Sequence, residues 1–144
     1  MKATIIGTGS YIPEYILTNQ ELSTMVETDD EWIVTRTGIS ERRIQKSGDV
    51  ADMAVNAALK ALDNAGINSE DIDLIIAATS TPDYLFPNCS SIIQKNTGAI
   101  NAVCFDISAA CSGFIMALSA LGFMMGTGGS AIVAKTLGEG KKQK

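Results

Sequence analysis

The clearest pattern of apolar and polar positions lies between residues 50 and 65. Apolar residues recur there at steps of three and four, the spacing of one face of an α-helix. Asp49 stands at the N-cap position, and Gly66 follows the last apolar position, where glycine commonly ends a helix. The pattern predicts an amphipathic helix whose small side chains allow close packing on a sheet. Its apolar positions are Ala51, Ala54, Val55, Ala58, Leu59, Leu62 and Ala65.

Continuous apolar runs elsewhere are typical of strands that are covered on both faces. Leu74–Ala78 and Val103–Ile107 are two such runs. Residues 3–6 and 131–134 are shorter β-prone segments. We therefore expect four strands.

The segments between these strands predict further helices. One is expected to begin at Pro87 and to end at Gly98, and the next to span residues 108–125. Strands and helices then alternate along the chain. This order predicts an α/β fold with a mixed, mostly parallel sheet and helices on both faces.

Two capping boxes lie near the N-terminus, at residues 18–21 and 28–31, each with Thr followed three positions later by Glu. The second predicts a short helix that carries Trp32 and Arg36 and ends at Gly38. No repeat or linker interrupts the sequence, so we assign residues 1–144 to a single domain.

Composition narrows the function classes. The chain has 144 residues, a net charge of −5 and no histidine. The acidic balance argues against nucleic acid as a partner. Without histidine the chain cannot complete a Cys–His or Ser–His–Asp site, and most zinc sites are also excluded. The three cysteines cannot all pair with one another and no secretory signal precedes them, which favours a reduced, cytoplasmic setting.

One stretch opens a membrane alternative, because residues 107–134 contain no charged side chain. Its many Ser, Gly and Ala residues weaken partitioning into lipid. The favoured interpretation is a buried helix followed by a glycine-rich turn and a strand.

Cys111 is the first candidate for chemistry. It lies where a predicted buried strand turns into a helix, and a helix N-terminus favours the thiolate form of cysteine. Its small neighbours leave room for a substrate carbonyl. The alternative is an inert buried thiol, which is common in proteins. Cys89 and Cys104 lack this setting and are interpreted as structural.

Three other features of the sequence could indicate a binding site. Gly7 and Gly9 suggest a dinucleotide loop, but the third glycine and the following helix are missing. The acidic residues 27–31 are contiguous rather than convergent, so we expect a solvated helix start and no metal site.

Trp32 and Arg36 share a helix face and could stack a purine and hold a phosphate. The alternative is a half-buried Trp beside a solvated Arg.

Several segments together resemble one family. Residues 7–13 (GTGSYIP), Thr18 with Asn19, residues 28–39 (TDDEWIVTRTGI) and residues 109–114 (AACSGF) occur in order and at family spacing. They resemble the N-terminal part of β-ketoacyl-acyl-carrier-protein synthase III, a thiolase-fold condensing enzyme that starts type II fatty acid synthesis. The resemblance covers about residues 1–121.

The resemblance implies roles for particular residues. Cys111 would be acylated by acetyl-CoA, and its backbone N–H would form one arm of an oxyanion hole. Thr28, Trp32 and Arg36 match positions that hold the nucleotide end of CoA. Phe86 matches a residue that reaches into the acyl pocket of a partner subunit. The implied partners are acyl-CoA and an acyl carrier protein, in a homodimer and without a separate cofactor.

The sequence also departs from this family. Family members are more than twice as long, and the His and Asn that promote decarboxylation, with the carrier-docking surface, lie in their second half. Residues 122–144 diverge from the family pattern, so we expect a truncated or frame-altered product. The helix after Cys111 would then leave an apolar face uncovered. The alternative function is a non-catalytic fragment that acts only by associating with a full-length subunit.

Overall fold

The computed structural model describes residues 4–124 and 131–135. These residues divide into two units. One contains residues 12–48, and the other contains residues 4–11, 49–124 and 131–135.

The smaller unit contains two short strands and two helices. The strands pair antiparallel, with Tyr15 opposite Ile44. Neither strand was predicted, because each has four residues and one of them reads Glu-Arg-Arg-Ile, a polar pattern. The elements are β1 (Tyr15–Thr18), α1 (Asn19–Leu22), α2 (Asp30–Thr37) and β2 (Glu41–Ile44).

A buried amide holds the smaller unit together. Asn19 is 1% exposed, and its Nδ2 donates to Asp30 Oδ1 at 2.7 Å and to the carbonyl of Ile39 at 2.8 Å. Arg42 Nη1 donates to Asn19 Oδ1 at 2.5 Å. Because one side chain bonds to α2, the following loop and β2, it fixes the orientation of α2 within this unit.

The predicted capping boxes are only half right. Thr18 caps α1 as predicted, since its hydroxyl accepts the Glu21 N–H at 3.1 Å. The Glu21 carboxylate, however, accepts the hydroxyl of Tyr15. Asp29 rather than Thr28 caps α2, and its carboxylate accepts the Trp32 N–H at 2.7 Å. Sequence spacing could not separate these neighbours, because both residue types cap helices well.

The larger unit alternates helices with strands. Its strands form an all-parallel sheet in the order β4-β3-β5, with Leu74 opposite both Val103 and Ala131. The elements are α3 (Val50–Ala65), β3 (Leu74–Ala78), α4 (Cys89–Thr97), β4 (Val103–Ile107), α5 (Gly113–Met124) and β5 (Ala131–Lys135).

Side chains of β3 alternate between two apolar layers. Ile75 and Ala77 pack in the layer with α3 and α4, whereas Leu74 and Ile76 pack in the layer with α5. Helices therefore cover both faces of this sheet, which confirms the predicted α/β architecture.

Several predicted boundaries are confirmed. Helix α3 runs from the Asp49 cap to Gly66, and α4 ends at Gly98; both glycines have positive φ. Helix α4 begins two residues after Pro87, because Asn88 supplies the cap by accepting the Ser91 N–H at 3.2 Å. Leu59, predicted on the apolar face of α3, is instead 44% exposed.

Two carboxylates from outside the helices cap them. Asp83 Oδ1 and Oδ2 accept the N–H groups of Val50 and Ala51 at the start of α3, each at 2.9 Å. Asp106 accepts the N–H groups of Cys89 and Ser90 at the start of α4, at 2.8 and 2.9 Å. A negative group at this end also complements the helix dipole. These contacts tie each helix to the sheet edge.

The strand predicted at residues 3–6 is wrong for the described residues. Residues 4–10 have no regular secondary structure, and Ile5 and Ile6 are exposed. The described strands of the sheet have the order β4-β3-β5, and residues 4–10 are not among them. Residues 7–9 instead lie against α3, where the Lys60 ammonium donates to the carbonyl of Ser10 at 3.0 Å.

This close approach predicts a cost for a methyl group at Gly9. A Cβ there would collide with the carbonyl of Ala57 and the backbone N of Ala61. Since backbone cannot move aside cheaply, Gly9→Ala should lower the free energy of unfolding by about 1–3 kcal/mol in urea melts.

The matched control is Gly122→Ala, because nothing lies within 4 Å of a Cβ at that helical position. This variant should gain about 0.5–1 kcal/mol from helix propensity. Equal effects of the two substitutions would contradict the close packing at Gly9.

Candidate active site

Cys111 lies beyond the carboxyl end of β4, within a 3₁₀ turn formed by Ala110–Ser112. Its side chain is exposed. Helix α5 begins only at Gly113, so the prediction of a continuous helix from residue 108 is wrong; the predicted last residue, Met125, lies outside the described residues. A separate turn therefore presents the thiol ahead of the helix.

The residue before Cys111 has an unusual backbone. Ala110 has φ of 44°, the only positive φ of a non-glycine residue in the described part of the chain. Left-handed backbone costs an alanine about 1–2 kcal/mol, so the surroundings must maintain it.

Hydrogen bonds surround this turn. The Ala110 N–H donates to Ser80 Oγ at 3.1 Å. The Ser112 N–H and hydroxyl both donate to the carbonyl of Ala109, at 3.0 and 2.7 Å. Before this turn, the Thr79 N–H donates to the carbonyl of Ile107 at 3.1 Å. This bond extends the pairing of β3 with β4 beyond the end of β3.

The backbone N–H of Cys111 lies between these occupied donors. Ala110 donates to Ser80, Ser112 donates to Ala109 and Gly113 donates to Ala110. Within the described part of the chain, the Cys111 N–H has no hydrogen-bond acceptor. A free N–H next to a thiol is the arrangement required of one oxyanion-hole arm.

The other two cysteines have different surroundings. Cys89 is 4% exposed at the start of α4. Burial, and secondarily the negative charge of Asp106, raises the pKa of the Cys104 thiol. A raised pKa keeps this thiol protonated and unreactive at neutral pH. Both observations agree with a structural role.

The CoA residues implied by the resemblance lie in the smaller unit. Thr28 is half-buried and precedes the cap of α2. The indole of Trp32 is 53% exposed, and the guanidinium carbon of Arg36 lies 4.5 Å from its ring centroid. Arg36 Nη1 also donates to the Trp32 carbonyl at 3.3 Å. The geometry brings Trp32 and Arg36 into contact as a flat, cationic pair.

Phe86 lies in the larger unit, in the loop between β3 and α4. Its side chain is 90% exposed, and the adjacent Leu85 is 98% exposed. Two neighbouring apolar side chains at a loop tip are not needed for packing within the chain. The implied insertion into a partner subunit stays a prediction.

Two absences hold for the described ranges 4–124 and 131–135. No group of three or more His, Cys, Asp or Glu side chains is placed to hold a metal ion there. No helix in the same ranges combines the length and the apolar character that crossing a bilayer requires.

Sequence reasoning missed Ser80, Asp83 and Asp106. Ser80 contacts the turn of Cys111 from another loop, a contact that depends on the strand order. The sequence offered one indication of Asp106, because it is the only charged residue in the otherwise apolar run Val103–Ile107. A lone carboxylate in a covered strand must find donors, and here the helix N–H groups supply them.

These surroundings predict selective alkylation. Iodoacetamide at pH 8 should label Cys111 and spare Cys89 and Cys104, because one thiol is exposed and the others are buried or have a raised pKa. Peptide mass mapping measures the label at each position. In urea all three should react; preferential labelling of Cys104 in the folded chain would contradict the described surroundings.

Comparison with known proteins agrees with the resemblance. No protein-family model matches the sequence. The chain is 58% identical over 115 residues to the β-ketoacyl-[acyl-carrier-protein] synthase III of Clostridium botulinum (strain 657 / Type Ba4), covering 80% of this chain and 35% of that protein. It is 54% identical over 119 residues to the synthase III of Ehrlichia canis (strain Jake), covering 82% and 37%.

Solved structures show the same likeness. The 3-oxoacyl-[acyl-carrier-protein] synthase III of Aquifex aeolicus VF5 matches with a TM-score of 0.85 and 48% identity, over 90% of this chain and 42% of that chain. The priming β-ketosynthase of the R1128 polyketide pathway matches with a TM-score of 0.82 and 39% identity, over 90% and 41%. The chain thus spans about a third of the length of the curated relatives it matches. In sequence and in its thiolase-like α/β fold, the chain is similar to the N-terminal part of β-ketoacyl-acyl-carrier-protein synthase III proteins.

Proposed function

We propose that Cys111 accepts an acyl group from an acyl-CoA, the first half-reaction of a starter condensing enzyme of fatty acid synthesis. The observation that carries this proposal is the exposed thiol that follows the left-handed Ala110, beside a backbone N–H that has no acceptor among the described residues. The similarity to synthase III proteins over 115 residues supports it.

The chemistry needs only a thiolate and a thioester. The Cys111 sulfur attacks the carbonyl carbon of the acyl-CoA, and a new carbon–sulfur bond forms as the bond to CoA breaks. The proton of the Cys111 thiol passes to solvent, and CoA leaves as a thiolate. In the tetrahedral intermediate the oxygen carries negative charge, which the Cys111 N–H stabilises. The product thioester keeps an electrophilic carbonyl.

Trp32 and Arg36 are proposed to bind the nucleotide end of CoA, with Thr28 beside them. The Arg36 guanidinium covers the indole and carries the positive charge that a phosphate needs. The exposed indole offers a planar surface on which a purine stacks. This assignment names the substrate as a CoA thioester rather than a free acid.

Condensation with a malonyl-acyl carrier protein is a separate step. It requires stabilisation of the negative charge that develops during decarboxylation, a role that the resemblance gives to a His and an Asn. General acid–base groups of this kind contribute about 10²–10⁴-fold to rate. The sequence contains no histidine. We therefore propose that the 144-residue chain alone is acylated, in the cytoplasm, but does not condense.

The test of acylation uses the purified chain with radiolabelled acetyl-CoA. The wild-type chain should acquire label as a thioester, which hydroxylamine releases. Cys111→Ala should abolish the label, because the nucleophile is gone, whereas Cys104→Ser should retain it. Label that persists in Cys111→Ala refutes the assignment, and an unlabelled wild-type chain refutes the proposed activity.

The same assay tests the CoA residues. Loss of one stacking contact is worth about 1–3 kcal/mol, so Trp32→Ala should raise the half-saturating acetyl-CoA concentration by about tenfold. Val34→Ala changes an exposed residue on the same helix and should leave that concentration unchanged. Equal effects of both variants would contradict stacking on the indole.

A non-catalytic role is a second candidate, and one surface favours it. Helix α5 leaves Ile115, Met116 and Phe123 more than half exposed, as expected for a helix whose outer face lacks cover. Such a chain would act by associating with a full-length synthase subunit. Co-elution with that subunit, together with an unlabelled wild-type chain in the acetyl-CoA assay, is the result that selects this candidate.

A further inference from the structure

Ser80 has no role in the acylation step proposed above, yet it contacts the turn that carries the nucleophile. It lies two residues beyond the end of β3, at the same sheet edge as the loop after β4. Its Oγ accepts the N–H of Ala110 at 3.1 Å. Ala110 is in turn the residue with the strained φ of 44°.

The neighbouring polar groups are engaged elsewhere. Thr79 Oγ1 accepts the Thr81 N–H at 3.2 Å, and Asp83 caps α3. Ser80 is thus a side chain of this loop that bonds directly to the turn around Cys111. The Cys111 N–H belongs to the peptide that follows Ala110. The backbone angles of Ala110 therefore determine where the Cys111 N–H and thiol point.

We propose that Ser80 is a positioning residue for Cys111. Its hydroxyl oxygen holds the Ala110 peptide in the left-handed conformation and so aims the free Cys111 N–H at the acyl oxygen. Ser80 touches neither substrate nor sulfur in this proposal, and the catalytic part of it rests on the proposed acylation.

The first experiment measures the backbone and is independent of activity. Amide hydrogen exchange of Ala110 is followed by NMR in the ¹⁵N-labelled chain. Ser80→Ala removes the acceptor and should accelerate this exchange by about tenfold, the equivalent of one hydrogen bond. Ser80→Thr retains a hydroxyl and should stay within about twofold of wild type.

Ser108→Ala is the matched control, because Ser108 is exposed and lies close to Ala110 in the same loop. Its exchange at Ala110 should equal that of wild type. Unchanged exchange in Ser80→Ala, or equal acceleration in Ser108→Ala, overturns the proposal. Equal unfolding midpoints for the variants show that global stability does not produce the effect.

The second experiment separates positioning from general damage. Alkylation by iodoacetamide occurs at a saturated carbon and needs no oxyanion stabilisation, whereas acetyl transfer from acetyl-CoA does. Ser80→Ala should lower the maximal rate of acetylation by about tenfold, leave the half-saturating acetyl-CoA concentration unchanged and alter alkylation by less than about twofold. Equal loss in both reactions overturns the positioning role.

The two proposals fail in different ways. A wild-type chain that is alkylated at Cys111 but never acetylated refutes the proposed function, while the exchange of the Ala110 amide still decides whether Ser80 holds the turn. A chain that is acetylated normally in Ser80→Ala refutes the positioning role and leaves the proposed function intact.

Discussion

The parallel pairing of β3 with β4 is the constraint on which the candidate site depends. Because the two strands run in the same direction, their following loops emerge at one edge of the sheet. One loop carries Ser80 and the other carries Ala110 and Cys111. The Thr79–Ile107 hydrogen bond continues the pairing into these loops. A shift in this register would separate the hydroxyl from the peptide that it holds, and the strained turn would lose its support.

The carboxylates of Asp83 and Asp106 attach the helices to the same framework. Each accepts two backbone N–H groups from the first turn of a helix, so it satisfies donors that the helix itself cannot pair. Asp106 belongs to β4, only five positions before Cys111. Its bonds to α4 therefore anchor the strand that leads into the turn of Cys111. The same negative charge helps to keep Cys104 protonated, which separates a structural thiol from the exposed one.

Local signals predicted what depends on local physics. The three- and four-residue steps of α3, its Asp49 and Gly66 ends and the apolar run of β3 all appear where expected. Long-range choices were not predictable. Residues 4–6 have the composition of a strand, but they form none, and the neighbouring residues 7–9 pack against α3 instead. Cys111 is predicted at a helix start, whereas it lies in a 3₁₀ turn ahead of α5, directly after the left-handed Ala110. The hydrogen bond between Ser80 and Ala110 could not be predicted from the sequence, since the two residues lie 30 positions apart.

Backbone groups can assist some of the proposed chemical steps but not others. Hydrogen bonds from peptide N–H groups and a serine hydroxyl are enough to shape a turn, expose a thiol and offer one donor to a developing oxyanion. Acyl transfer between two thioesters needs few further groups, because both the nucleophile and the leaving group are thiolates. A decarboxylation step differs, since it needs stabilisation of a developing carbanion, a task that general acid–base side chains such as histidine commonly perform. On the proposal that Cys111 is acylated, this sequence holds the groups for acyl transfer but lacks the imidazole that a condensation step would use.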